Sequence, residues 1–121
     1  MLMLGIVIAG AIGAPARYLL DGYIHDRAGG EWPLGTLVVN ISGSLVLGFL
    51  AGLVLYHAFP ATPRTILGTG FCGAYTTFST FTYETIRLAE DGERRGAARN
   101  VVASLLLPAL AAALGLALAT L

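Results

Sequence analysis

Four charge-free stretches fill most of this chain: Met1 to Ala16, Pro33 to Pro63 with His57 neutral, Thr65 to Tyr83, and Asn100 to Leu121. Each is near or above the roughly 20 residues that cross a hydrocarbon core, the first once it is extended to Leu20. In a chain of 121 residues, 56% of them hydrophobic, those runs leave no room for a soluble domain that could host an enzyme. The composition alone belongs to the membrane class. The expected fold is therefore an all-α membrane protein, a single domain over residues 1–121, with four transmembrane helices at about 2–20, 33–57, 63–87 and 98–120. No basic segment precedes the first run and no cleavage site interrupts it before Arg17, so it reads as a helix that stays rather than a signal peptide. Cys72 is the only cysteine, which excludes an internal disulfide and leaves it as a small apolar filler.

The third run is filled wrongly for a plain anchor. Gly68, Gly70 and Gly73 are followed by Thr76, Thr77, Ser79 and Thr80, residues that weaken the helical ladder through backbone entropy and side-chain competition. A break near the middle of this helix is expected. Irregular backbone at membrane depth persists only where it is buried in protein or lines water, which points to a pathway or a binding site. A break also frees carbonyl oxygens, hard ligands suited to a bare cation such as Na⁺. After it come Phe78 and Phe81, three residues apart. Ring edges carry partial positive charge, so two of them beside Ser79, Thr80 and the Asn40 amide can replace part of the water around a small anion. Glu84 stands near the mouth of the segment.

The other runs each own a narrow or polar face. Gly5, Ala9, Gly13 and Arg17 recur every four residues in the first, and Asn40, Ser44, Gly48 and Gly52 do so in the second. Small residues at that spacing let another helix approach closely, and an Asn at this depth needs partners or water. Arg17 is read either as a snorkelling anchor or as a buried group. Trp32-Pro33 marks an interface and a first helical turn. In the fourth run Asn100, Ser104 and Pro108 share a stripe, and Pro108 has no N–H to give the Ser104 carbonyl. So many inward-looking faces suggest a subunit that closes against a second copy.

Four short helices, the string Gly35-Thr36-Leu37-Val38-Val39-Asn40, and the string Gly73-Ala74-Tyr75-Thr76-Thr77-Phe78-Ser79-Thr80-Phe81 resemble the Fluc, or CrcB, fluoride channels along the whole chain. The resemblance implies an antiparallel, dual-topology dimer in the cell membrane with two narrow pores that pass fluoride out of the cell and relieve its toxicity. It further implies a structural, untransported Na⁺ at the dimer centre, on the backbone carbonyls of Gly73 and Thr76 from both subunits. Phe78 and Phe81 would form an aromatic box, Asn40 would donate its amide to the ion, Ser79 and Thr80 would continue a polar track, and Glu84 would be the acid at the pore entrance. The family often presents a Tyr and a Ser from its fourth helix; Asn100 and Ser104 fall near that place, and Ser104 is taken as pore-contacting. Where the family commonly has Gly-Gly before the threonines, this chain has Gly73-Ala74.

Basic residues favour one orientation, because every arginine except Arg64 belongs with the first and third links. A homodimer is the favoured reading, a heterodimer with an oppositely inserted sister subunit the other. Two other readings compete with a channel. A small multidrug transporter has the same layout but needs a carboxylate embedded in its first helix, and none precedes Asp21 here. A non-transporting membrane scaffold would need only the glycine stripes and leaves Asn40 and the Thr/Ser/Phe group without a use.

Overall fold

The structure is a computed structural model that describes residues 1–30 and 32–121. Among these residues every regular element is helical. Helices α1 (Leu2–Ala28) and α2 (Leu34–His57) are continuous, as is the last, α6 (Arg94–Leu118). All three are long and apolar enough to cross a membrane. The third apolar run is assembled from pieces: α3 (Ala61–Thr65), a π-helical stretch (Ile66–Cys72), α4 (Gly73–Tyr75) and α5 (Ser79–Glu90). It reaches a spanning length only as a series.

Some helix ends differ from the sequence expectation. α1 does not stop near Leu20 but continues to Ala28, so most of the first link is helix, and α6 begins at Arg94 rather than near residue 98. The expectation ended each helix where the apolar run ends. A helix leaving the hydrocarbon has no reason to unwind in water until a residue supplies a stop, and left-handed Gly29 (φ 65°) supplies it after α1 and Gly92 (φ 85°) after α5, which runs to Glu90 rather than to residue 87.

Packing follows the small-residue stripes. α2 lies along α6 in the same direction, tied at its start by the Trp32 indole N–H donating to Gly96 O at 3.1 Å and at its end by the His57 ring N–H donating to Ala119 O at 2.7 Å. Between these ties a Cβ placed at Gly48 would meet the Ala112 backbone, one at Gly52 the Ala119 methyl, and one at Gly115 the Leu45 carbonyl. α1 runs alongside the π-helical stretch in the same manner. A Cβ at Gly13 would strike the Phe71 carbonyl, and one at Gly70 would sit 2.9 Å from the Ala9 methyl. The two pairs run antiparallel to each other, with Gly35 seated against Asp21 where α1 meets α2. The most deeply buried side chains are modest ones, Val39, Cys72 and Asn100. In a bilayer lipid is as apolar as leucine, so close van der Waals approach of backbones holds helices together better than a leucine core would.

Candidate functional site at the break in the third helix

The break is built by hydrogen bonds that the threonines take away from the helix. Thr76 donates both its N–H (2.9 Å) and its hydroxyl (2.8 Å) to Cys72 O, then turns extended at φ −79°, ψ 159°. Thr77 is held from outside: its N–H donates to Asn40 Oδ1 and its carbonyl accepts from Asn40 Nδ2, both at 2.9 Å. One side chain on α2 thus satisfies both backbone groups of a residue that has left the ladder, the requirement for irregular backbone away from water. The helix restarts through the Thr77 hydroxyl, which accepts from Thr80 N–H at 3.1 Å, a cap-type bond.

These diversions decide which oxygens are left over. In an unbroken helix the N–H of Thr77 would serve Gly73 O and that of Thr80 would serve Thr76 O. The first goes to Asn40 and the second to the Thr77 hydroxyl instead. Gly73 and Thr76, the residues whose carbonyls the resemblance assigned to a cation, are two of the four, with Ala74 and Tyr75, that their helical donors do not reach across the break. Hard carbonyl oxygens without their usual donors suit Na⁺, and the residues present fit such an ion. Ala74 lies within the single helical turn of α4, preceded by Gly73 at ordinary right-handed angles, φ −62°, ψ −37°, and followed two residues on by the extended Thr76.

Phe78 and Phe81 lie beside the restart with ring centroids 5.5 Å apart and planes tilted by 57°. Phe78 is 74% exposed in the single chain. Thr80 and Glu84, on the next turns of α5, line a cavity of about 500 Å³ that also touches Asp21, His25, Trp32 and Tyr83. Glu84 accepts a hydrogen bond from the buried Thr36 hydroxyl at 2.6 Å. Ser79 is exposed, with its hydroxyl 3.5 Å from that of Thr77. Ser104 lies apart from this group: its hydroxyl donates to Asn100 Oδ1 at 3.3 Å, and Asn100 Nδ2 in turn donates to Thr85 Oγ1 at 2.8 Å. The Thr85 hydroxyl donates to Phe81 O, so this chain of bonds connects α6 to the Phe81 backbone. On α1, Arg17 is half-buried with its Nε enclosed and without a hydrogen-bond partner.

Three residues of the site carried no assignment from the sequence. Tyr75 is buried, stacked on Phe71 with centroids 5.5 Å apart, and its hydroxyl lies 2.9 Å from Ser42 Oγ. Because Ser42 gives its one hydrogen to Val39 O, Tyr75 is the donor of that bond. Gly43 provides the seat, since a Cβ there would meet the Thr76 methyl and the Tyr75 ring. Ser42 and Gly43 come two and three residues after Asn40 on α2, and that proximity is the available signal.

Asn40→Leu is expected to strand the Thr77 N–H and C=O, at about 1–3 kcal/mol for each buried group left unpaired. The thermal midpoint in detergent should fall accordingly; a variant as stable as the parent would show that the clip is dispensable.

The chain matches the family described as "CrcB-like protein, Camphor Resistance (CrcB)" over residues 4–116. It is 47% identical over 116 residues to a protein named "Fluoride-specific ion channel FluC 1" from Leifsonia xyli subsp. xyli, covering 96% of this chain and 85% of that one. To "Fluoride-specific ion channel FluC 1" from Frankia casuarinae it is 51% identical over 120 residues, covering 94% and 93% of the two chains. A protein from Moorella thermoacetica named "Fluoride-specific ion channel FluC 2" is 49% identical over 106 residues, 88% of this chain and 86% of its own. A family match across nearly the whole chain, relatives near half identity, and three helices of spanning length converge: this multi-pass membrane protein belongs to the CrcB family.

Proposed function

We propose that the chain is a fluoride-selective passive channel that exports the anion from the cytoplasm, working as an antiparallel dimer with two narrow pores. The observation that carries this reading is the Asn40–Thr77 clip. It opens the third helix at membrane depth and sets hydroxyls, an amide and two ring edges beside the opening, while the names of the relatives supply the ion. Asn40 keeps one amide hydrogen beyond the one given to Thr77 O. With the Ser79 and Thr80 hydroxyls and the edges of Phe78 and Phe81, that hydrogen belongs to a set of weak donors, whereas the Ser104 hydroxyl is committed to Asn100 Oδ1. Such a set replaces part of the water around fluoride without holding it, the balance a conducting pore must keep. A narrow bore then rejects the larger chloride.

Hydrogen fluoride crosses membranes as a neutral acid and dissociates inside, so the anion accumulates there. A negative-inside potential drives its exit with about 2.3 kcal/mol per charge per 100 mV, and no coupled reaction is needed. Glu84, anchored by Thr36, stands at the pore entrance. The exposure of Phe78 and of Gly73 supports the dimer, since a second copy laid across the break would cover both. The Gly73 and Thr76 carbonyls would hold a structural Na⁺ between the copies, a fixed positive charge where irregular backbone gathers.

Liposomes containing the purified chain alone should release fluoride rapidly and retain chloride. Silence from folded protein that co-expression with a sister subunit cures would replace the homodimer by a heterodimer; silence in both would remove the channel reading. Exchanging Na⁺ for N-methylglucamine should lower the thermal midpoint and Na⁺ should restore it, by about 2.7 kcal/mol when Na⁺ is a hundredfold above its dissociation constant. An unchanged midpoint would take the cation out of the assembly.

A further inference from the structure

Away from the break, a groove of about 700 Å³ runs along α6, lined by Trp32, Arg99, Val102, Ala103, Leu106 and Leu107. Its chemistry is sharply divided. One end holds the Arg99 guanidinium, 5.6 Å from the centre of the Trp32 ring, and the rest of the lining is aliphatic. The indole is itself fixed by its bond to Gly96 O, so it holds the guanidinium at the head of the groove. Of its lining residues, Trp32 alone also borders the cavity at Thr80 and Glu84.

We propose that the groove binds an anionic phospholipid, with the phosphate on Arg99 and one acyl chain lying along Val102 to Leu107. The position fits the bilayer. Arg99 is the last charged residue before the apolar run that opens at Asn100, and a tryptophan beside it marks the headgroup level. From Arg99 to Leu107 the helix rises about 12 Å, most of the ~15 Å depth of one leaflet. A guanidinium offers a phosphate two parallel N–H donors, and basic pockets at this level hold anionic headgroups. Arg94 and Arg95 are close in sequence to Glu90, Asp91 and Glu93, so the charge of that stretch is nearly balanced and the preference rests on the one guanidinium that lines the groove. A zwitterionic lipid would add a cation beside Arg99 and gain less.

Trp32 is the chain's only tryptophan and reports on the groove directly. The full chain would be reconstituted in phosphatidylcholine vesicles carrying a fraction of either brominated phosphatidylglycerol or brominated phosphatidylcholine, and quenching of Trp32 emission compared. Phosphatidylglycerol should be preferred about fivefold, and Arg99→Gln should bring the ratio close to one. Equal quenching by the two lipids in the unmodified chain overturns the proposal with no variant needed. A preference that survives in folded Arg99→Gln also overturns it, as does absence of quenching by either lipid, which would mean that a second copy of the chain covers the groove. Fluoride efflux measured on the same vesicles is a separate readout, so lipid selection and conduction can fail independently.

Discussion

Fluoride efflux from liposomes carrying Phe81→Ile is expected to fall to the background leak, a loss of a hundredfold or more. A hundredfold corresponds to about 2.7 kcal/mol on the barrier. Isoleucine keeps apolar bulk beside Phe78, whose ring centre lies 5.5 Å from that of Phe81, so packing survives while the electropositive ring edge does not. The backbone of residue 81 also keeps its bond from the Thr85 hydroxyl. The variant should therefore elute as the parent does and unfold at nearly the same temperature. Efflux within a few fold of the parent would mean that the rings only fill space.

The second large effect is structural. Gly48→Val and Gly115→Val are each expected to abolish recovery of folded protein, because the added side chain meets backbone: the Ala112 main chain in one case, the Leu45 carbonyl in the other. Overpacking costs about 1–3 kcal/mol where side chains can shift aside, and here no flexible group stands in the way to do so. Gly22→Ala is the control. A Cβ there has nothing within 4 Å, and alanine in a helix gains about 1 kcal/mol over glycine, so this variant should equal or exceed the parent in thermal midpoint. Gly48→Val protein as stable as Gly22→Ala would overturn the claim that α2 and α6 are held by backbone approach.

Much of this could be read before any coordinates. Hydropathy located the apolar runs because water is excluded from them, and the spacing of Gly5, Ala9 and Gly13, or of Gly48 and Gly52, announced where another helix would come close. The weakness of the third helix was visible in its glycines and threonines. Its actual shape was not, since the π-helical stretch at Ile66–Cys72 and the turn to extended backbone at Thr76 depend on which donor each carbonyl loses to a side chain. Asn40 drew attention as a costly amide at depth, yet its bond to Thr77, 37 residues away, is a tertiary fact. Helix ends were misjudged at Leu20 because hydropathy senses the bilayer boundary and not the left-handed glycine that terminates a helix. Ser42 and Tyr75 escaped notice because a serine near an asparagine and a tyrosine among glycines have no periodic signature.

The way Asn40 grips Thr77 bears on whether such a passage can open and shut. Sliding α2 along α5 by a single residue, about 1.5 Å, would detach both main-chain groups of Thr77 at once. The wall that bears the aromatic rings is thereby locked in register with the wall that bears the amide. On the proposed channel reading, a passage bounded in this way would be a standing orifice without a gate, its flow set by the ion gradient and the membrane voltage alone.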